Sequence, residues 1–108
     1  MEKITCRIKE NSWLAKIAAA KLHSKQVALV LGGTIHLYGA SRSDLLSNIS
    51  WLRHEVCHVR QYRQYGRWLF LWLYFVEWCR KGYYNNHFEI AARAAENDPY
   101  ILEGIHIT

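Results

Sequence analysis

The chain has 108 residues, of which 51% are hydrophobic and 21% charged, and a net charge of +5. That size and balance fit a single domain spanning 1–108 around one core, and exclude a disordered segment or a set of domains within this length. The positive bias admits acidic surfaces, nucleic acid or anionic lipid heads as partners. The basic residues are scattered, though, and none of their runs is longer than Arg80-Lys81, so a modestly basic protein is expected rather than a nucleic-acid binder.

Residues 3 to 9 alternate and β-branch like a short strand. Asn11 or Ser12 then suits an N-cap for a helix running to about Leu22, with Trp13 and Ile17, and Leu14, Ala18 and Lys21, at helical spacing. No secretory leader is expected, because Lys3, Arg7, Lys9 and Lys16 interrupt this stretch. Gln26 to Leu31, the Gly32-Gly33 pair and Thr34 to Tyr38 predict a β-hairpin. Its second strand would either border a binding cleft, where it could hold an extended peptide by main-chain hydrogen bonds, or serve as an ordinary sheet strand. Gly39 to Asn48 reads as a polar loop.

A helix follows, with no breaker between Trp51 and Tyr65, and Gly66 ends it. The next covers Arg67 to Lys81 and ends at Gly82. Within it, Trp68 to Val76 is a run of nine apolar residues closed by Glu77. A bilayer core needs about 20, so no transmembrane span is expected. A helix apolar on nearly all sides is expected to be buried; the other reading is weak peripheral attachment to a membrane, with Arg63, Arg67, Arg80 and Lys81 as flanking cations. Tyr83 to Asn86 leads into a third helix, about His87 to Glu96, closed by Asn97-Asp98-Pro99. The order β, α, ββ, then three helices predicts an α+β fold, to whose core Trp13, Trp51, Trp68, Trp72 and Trp78 are expected to contribute heavily. Cys6, Cys57 and Cys79 show no CxxC spacing and leave an odd thiol, which points to reduced cysteines and a cytoplasmic protein.

The residues with the most chemical content are His54-Glu55-Val56-Cys57-His58. On a helix, residues four apart share a face about 6 Å apart along the axis. Two imidazoles so placed can converge on one Zn²⁺, and Glu55, the residue after the first, swings beside the ion as a general base. Leu52, Val56 and Val59 form a separate apolar stripe, so the His pair is not needed to fill the core. Cys57 is turned about 100° away and reads as buried filler.

A catalytic zinc is expected to have a third protein ligand and an open position. His87, Glu89 and Glu96 are the downstream candidates. Phe88, Ala91, Ala92 and Ala95 form an apolar stripe, whose small alanines would let that helix approach another closely. Glu89, Arg93 and Glu96 also recur as a solvent-facing ion-paired stripe would, and spacing alone does not choose between the two readings.

The pentad, followed by Asn85-Asn86-His87-Phe88-Glu89-Ile90-Ala91-Ala92 on a later helix, resembles the gluzincin zinc peptidases. It is most similar to their shortest members, the minigluzincins, and the matched motifs lie within residues 51 to 96. The resemblance implies a small zincin-like domain: a short sheet whose edge strand lines the cleft, an active-site helix and a glutamate helix. It also implies Zn²⁺ held by His54, His58 and Glu89, with Glu55 as general base and a peptide or protein as substrate. Arg93 departs from the pattern, since many gluzincins place there an acid that orients a ligand histidine; Glu96, Asn85 or Asn86 would have to serve instead. Tyr83, Tyr84, His87 and Arg93 are candidates for stabilising an oxyanion, with none preferred.

Two other readings follow from the same residues. One is a protease with His87 as third ligand, as in SprT-like enzymes acting on DNA-bound proteins. The other is a non-catalytic module stapled by zinc. The partly apolar tail, Tyr100 to Thr108, would be a terminal strand or plain packing, or would fold back over the cleft and keep it latent.

Overall fold

The structure, a computed structural model, describes residues 3–108. In chain order the elements are β1 (Ile4–Lys9), α1 (Trp13–Leu22), β2 (Val27–Leu31), β3 (Thr34–Tyr38), α2 (Arg42–Ser47), α3 (Ile49–Tyr65), α4 (Arg67–Lys81), α5 (His87–Ala95) and β4 (Ile105–Ile107). The strands form one mixed sheet in the order β2-β3-β1-β4. β2 and β3 are an antiparallel hairpin, with Val30 opposite Ile35, while β1 runs parallel to both β3 and β4. Gly32 turns the hairpin at φ 61°, a left-handed conformation in which a side chain would be strained.

Local chemistry sets the helix ends. The Ser12 side chain caps α1 by accepting from the Ala15 N–H, and Asn86 caps α5 by accepting from the Phe88 N–H. Ser41 and Asp44 form a reciprocal capping box that starts α2. That short helix lies where the composition predicted a polar loop. Its signature, Ser41-Arg42-Ser43-Asp44 ahead of Leu45-Leu46, is present in the sequence, and the buried Leu45 anchors it.

α3 has two working faces. Leu52, Val56 and Val59 face the sheet as their spacing predicts, and cluster with Cys6, Val30, Ile35 and Leu37. On another side, Cys57 packs with Ala92 and Ala95 of α5 in a second small core. Alanines there let the two helices approach closely, which brings residues of α5 within reach of α3.

The aromatic helix is not buried. Of α4, only Phe70 is buried, at 2% exposure, packed on Tyr62 and Phe88 with ring centroids 4.5 and 4.9 Å away. Trp68, Trp72 and Phe75 are 79%, 63% and 51% exposed. A run that is apolar all round has no polar side to show which face meets the core, and α4 rests on α3 by one edge. Trp13 and Trp78 are exposed as well, and Trp51 is half-buried. The core is instead built largely of aliphatic residues with Tyr62, Phe70 and Phe88.

Topology chooses between the alternatives left open at two further places, making the second hairpin strand an ordinary sheet strand and the tail a terminal strand. The free strand of the hairpin is its first, β2, because β3 is enclosed between β2 and β1. The tail does not fold toward the hairpin: β4 pairs with β1 on the far edge of the sheet, with Ile4 opposite Ile105. Arg60 of α3 fixes the approach to β4, donating from Nε to the Ile101 carbonyl (2.7 Å) and from its other arm to the Glu103 carbonyl.

Ala92→Leu places extra volume in the fully buried α3–α5 contact. It is expected to cost about 1–3 kcal/mol in urea denaturation and to weaken metal uptake as α5 is pushed outward. An unchanged midpoint with unchanged uptake would show that this contact does not position α5.

Candidate metal centre

One turn of α3 brings the His54 and His58 rings to 5.2 Å between centroids, in an edge-to-face arrangement. α5 delivers Glu89 from the other side. His54 Nε2 lies 3.1 Å from Glu89 Oε1, and His58 Nε2 lies 3.3 and 3.2 Å from its two oxygens. The three ligand atoms fall within 4.8 Å of one another, close enough to hold a metal ion. Glu55, His58 and Glu89 are buried and His54 is half-buried.

The outer nitrogen of each ring fixes its tautomer. His54 Nδ1 is 2.8 Å from Glu96 Oε2; a carboxylate only accepts, so Nδ1 carries the hydrogen. His58 Nδ1 is 2.8 Å from Gln61 Oε1, while Gln61 Nε2 donates to the Phe88 carbonyl and so sets the amide the right way round. Both Nε2 lone pairs are therefore left facing Glu89. Two neutral imidazoles and a carboxylate at these distances offer only acceptors to one another. Positive charge must lie between them, as protons or as a cation, and that donor set fits a divalent ion.

The ionisations agree with this geometry. Burial disfavours charge on His54, but the hydrogen bond to Glu89 and the charges of Glu55 and Glu96 outweigh it and lift its pKa to about 9. His58 is also raised: burial opposes its charge, and Glu89 and Glu55 overcome the burial. Glu89 goes the other way. Burial would raise it, but the two histidines and the Tyr74 hydroxyl hold it well below the usual carboxylate range. Glu55 is raised to about 7, by burial first, with His58 and His54 pulling it back and Glu89 adding to the rise.

Glu55 is not in the ligand group. Its side chain and the three ligand residues line the same cavity, about 510 Å³, between α1, β2, α3 and α4. Ala18 and Leu22, β2 from Val27 to Leu31, and Leu71, Phe75 and Trp78 make the remainder of the walls mostly apolar. A second recess, bordered by Asn48, Trp51 and Tyr83, also reaches Glu55.

The structure also sorts the remaining candidates. Glu96 takes the part left open by Arg93, accepting from His54, and the Arg53 guanidinium holds its backbone carbonyl at 3.2 Å. Arg93 is engaged elsewhere, donating to the Tyr84 carbonyl and lying 4.0 Å over the Tyr84 ring. His87 is exposed and lies outside the ligand group; its N–H donates to Glu77. Asn85 has no part in the group, and Asn86 acts through Tyr74, donating to its carbonyl at 3.2 Å. Of the four oxyanion candidates, Tyr83 lines the cavity. Cys57 is buried filler against α5, as its position on the helix predicted.

Two contributors escaped the sequence reading. Gln61, three residues after His58, was legible as a partner on the same helix face. Tyr74, whose hydroxyl donates to Glu89 Oε2 at 2.6 Å, sits within an apolar run that gave no sign of it.

The chain matches no family model, no curated protein and no solved structure.

Metal content after dialysis against stoichiometric zinc distinguishes the ligands. Glu89→Ala is expected to empty the centre, whereas His87→Ala is expected to leave it full. Glu96→Ala should retain the ligands but lose about 10- to 100-fold in metal affinity. Full occupancy in Glu89→Ala would contradict the assignment.

Proposed function

We propose that this chain is a zinc-dependent peptidase of the gluzincin kind, in which His54, His58 and Glu89 hold the ion and Glu55 is the general base. The observation that carries the reading is the convergence of two Nε2 atoms and a buried carboxylate, with a second, non-ligating carboxylate on the same cavity wall. The likeness of residues 51–96 to the gluzincin motifs supports the same roles. When bound there, zinc supplies Lewis acidity, lowering the pKa of water to about 7 and polarising a carbonyl.

The chain's own residues supply the rest. Glu55, buried on the cavity wall and outside the ligand group, is placed for proton transfer. It takes the proton of the attacking water as the C–O bond forms and gives it to the leaving nitrogen as the C–N bond breaks. β2 is the edge strand beside the cavity, so an extended substrate chain can add to it through main-chain hydrogen bonds. The apolar walls suit an apolar side chain next to the cleaved bond. The Tyr83 hydroxyl is the donor we assign to the developing oxyanion.

Zinc-loaded protein is expected to cut members of a random peptide library. Glu55→Gln should bind zinc normally and lose about 10²- to 10⁴-fold in kcat. Tyr83→Phe should keep its zinc and lose up to about 10²-fold, mainly in kcat. Glu55→Gln that cleaves at the wild-type rate would remove the base from the mechanism. A wild-type protein that holds zinc and cuts nothing would reduce the centre to a structural staple.

A further inference from the structure

The side of α4 turned away from α3 is apolar. Trp68, Trp72, Phe75 and Cys79 recur at i, i+4, i+7 and i+11, all exposed, with the exposed Leu69 beside them. This is the reverse of a normal surface helix, whose outer side is polar. The helix's one acid, Glu77, lies on the inner side, where it is paired with Lys81 at 3.5 Å and accepts from the His87 N–H. Of the exposed cations at its ends, Lys81 is held by Glu77 on the inner side and the Arg67 guanidinium lies against Gly32 of the hairpin, which leaves Arg80 beside the stripe.

We infer that the outer face of α4 docks on the surface of a bilayer containing anionic lipid, lying flat in the interface. Three features select that occupant. Indoles are amphipathic and favour the boundary between headgroups and acyl chains, and two of them head this stripe. Arg80 is exposed beside Cys79 at the end of the stripe, where its long side chain can reach a headgroup phosphate, which suits a helix lying in the plane. No helix of the described residues is long and apolar enough to cross a membrane. Charge also disfavours a second copy on this face, which would bring together two chains each of net charge +5. An anionic surface has the complementary sign.

Phe75 of this stripe also walls the cavity, but Trp68 and Trp72 do not border it, so these two can be altered without touching the metal centre. The experiment is co-sedimentation of the full, zinc-loaded chain with vesicles of phosphatidylcholine alone or mixed with phosphatidylserine. Wild type is expected to pellet with the mixed vesicles, to pellet far less with the neutral ones, and to be released by salt. Trp68→Ser/Trp72→Ser should lose about tenfold or more in partitioning, with zinc content and far-ultraviolet circular dichroism unchanged. Should that variant fail to fold, tryptophan quenching of wild type by bromine-labelled lipids decides the matter, and strong quenching is expected. Wild type that stays in the supernatant and is not quenched overturns the inference, as does a folded variant that binds like wild type. So does a dimer, seen by sedimentation velocity, that the two substitutions dissolve while vesicles capture neither form.

Discussion

A carboxylate buried against two imidazoles that present only lone pairs cannot remain there without positive charge beside it. The arrangement at Glu89 imposes that requirement, because Glu96 and Gln61 hold the hydrogen-bearing side of each ring outward. Without a cation, protons must supply the charge, which is why both histidines are raised and Glu89 is depressed. One divalent ion does the same with a single particle, and two imidazoles with a carboxylate suit it chemically. Glu55 shares the cavity but not the ligand cluster.

The fold can be understood as what this arrangement needs from 108 residues. α3 must face the sheet on one side and α5 on another, while its His pair looks into a cavity. The aliphatic stripe Leu52, Val56 and Val59 secures the first contact, and Cys57 against Ala92 and Ala95 secures the second. Tyr74 brings α4 into the same network by donating to Glu89, and Asn86 ties Tyr74 back to the start of α5. Three helices are thus linked through one carboxylate. The sheet contributes one edge strand, β2, on the cavity side and ends in β4 on the other.

What the sequence revealed tracks how local each interaction is. The His54–Glu55–His58 geometry depends only on the helical repeat, and it was legible before any tertiary information. Gln61 obeys the same repeat and could have been found by asking what each ring's second nitrogen would meet. Glu89 lies on another helix; its spacing with Arg93 and Glu96 fits a solvated stripe equally well, and only the resemblance to a known motif selected it. Tyr74 was invisible because a tyrosine in an apolar run looks like packing. The placement of α4 failed for a related reason: with apolar residues on every side, periodicity cannot separate the face that meets Phe88 from the one that meets solvent. α2 is a different kind of miss, since its capping box was written in the chain and composition obscured it.

The exposed tryptophans and the metal centre meet at one helix, for α4 presents Trp68 and Trp72 outward while Leu71, Phe75 and Trp78 wall the cavity. Whatever α4 rests on will therefore lie close to the candidate site. The centre itself is the claim on which the functional reading stands, and anomalous diffraction from crystals grown with one equivalent of zinc tests it most directly. A peak at the zinc edge is expected at about 2.0–2.2 Å from His54 Nε2, His58 Nε2 and a Glu89 oxygen. A map with no peak there, or with its peak at other residues, would contradict the account.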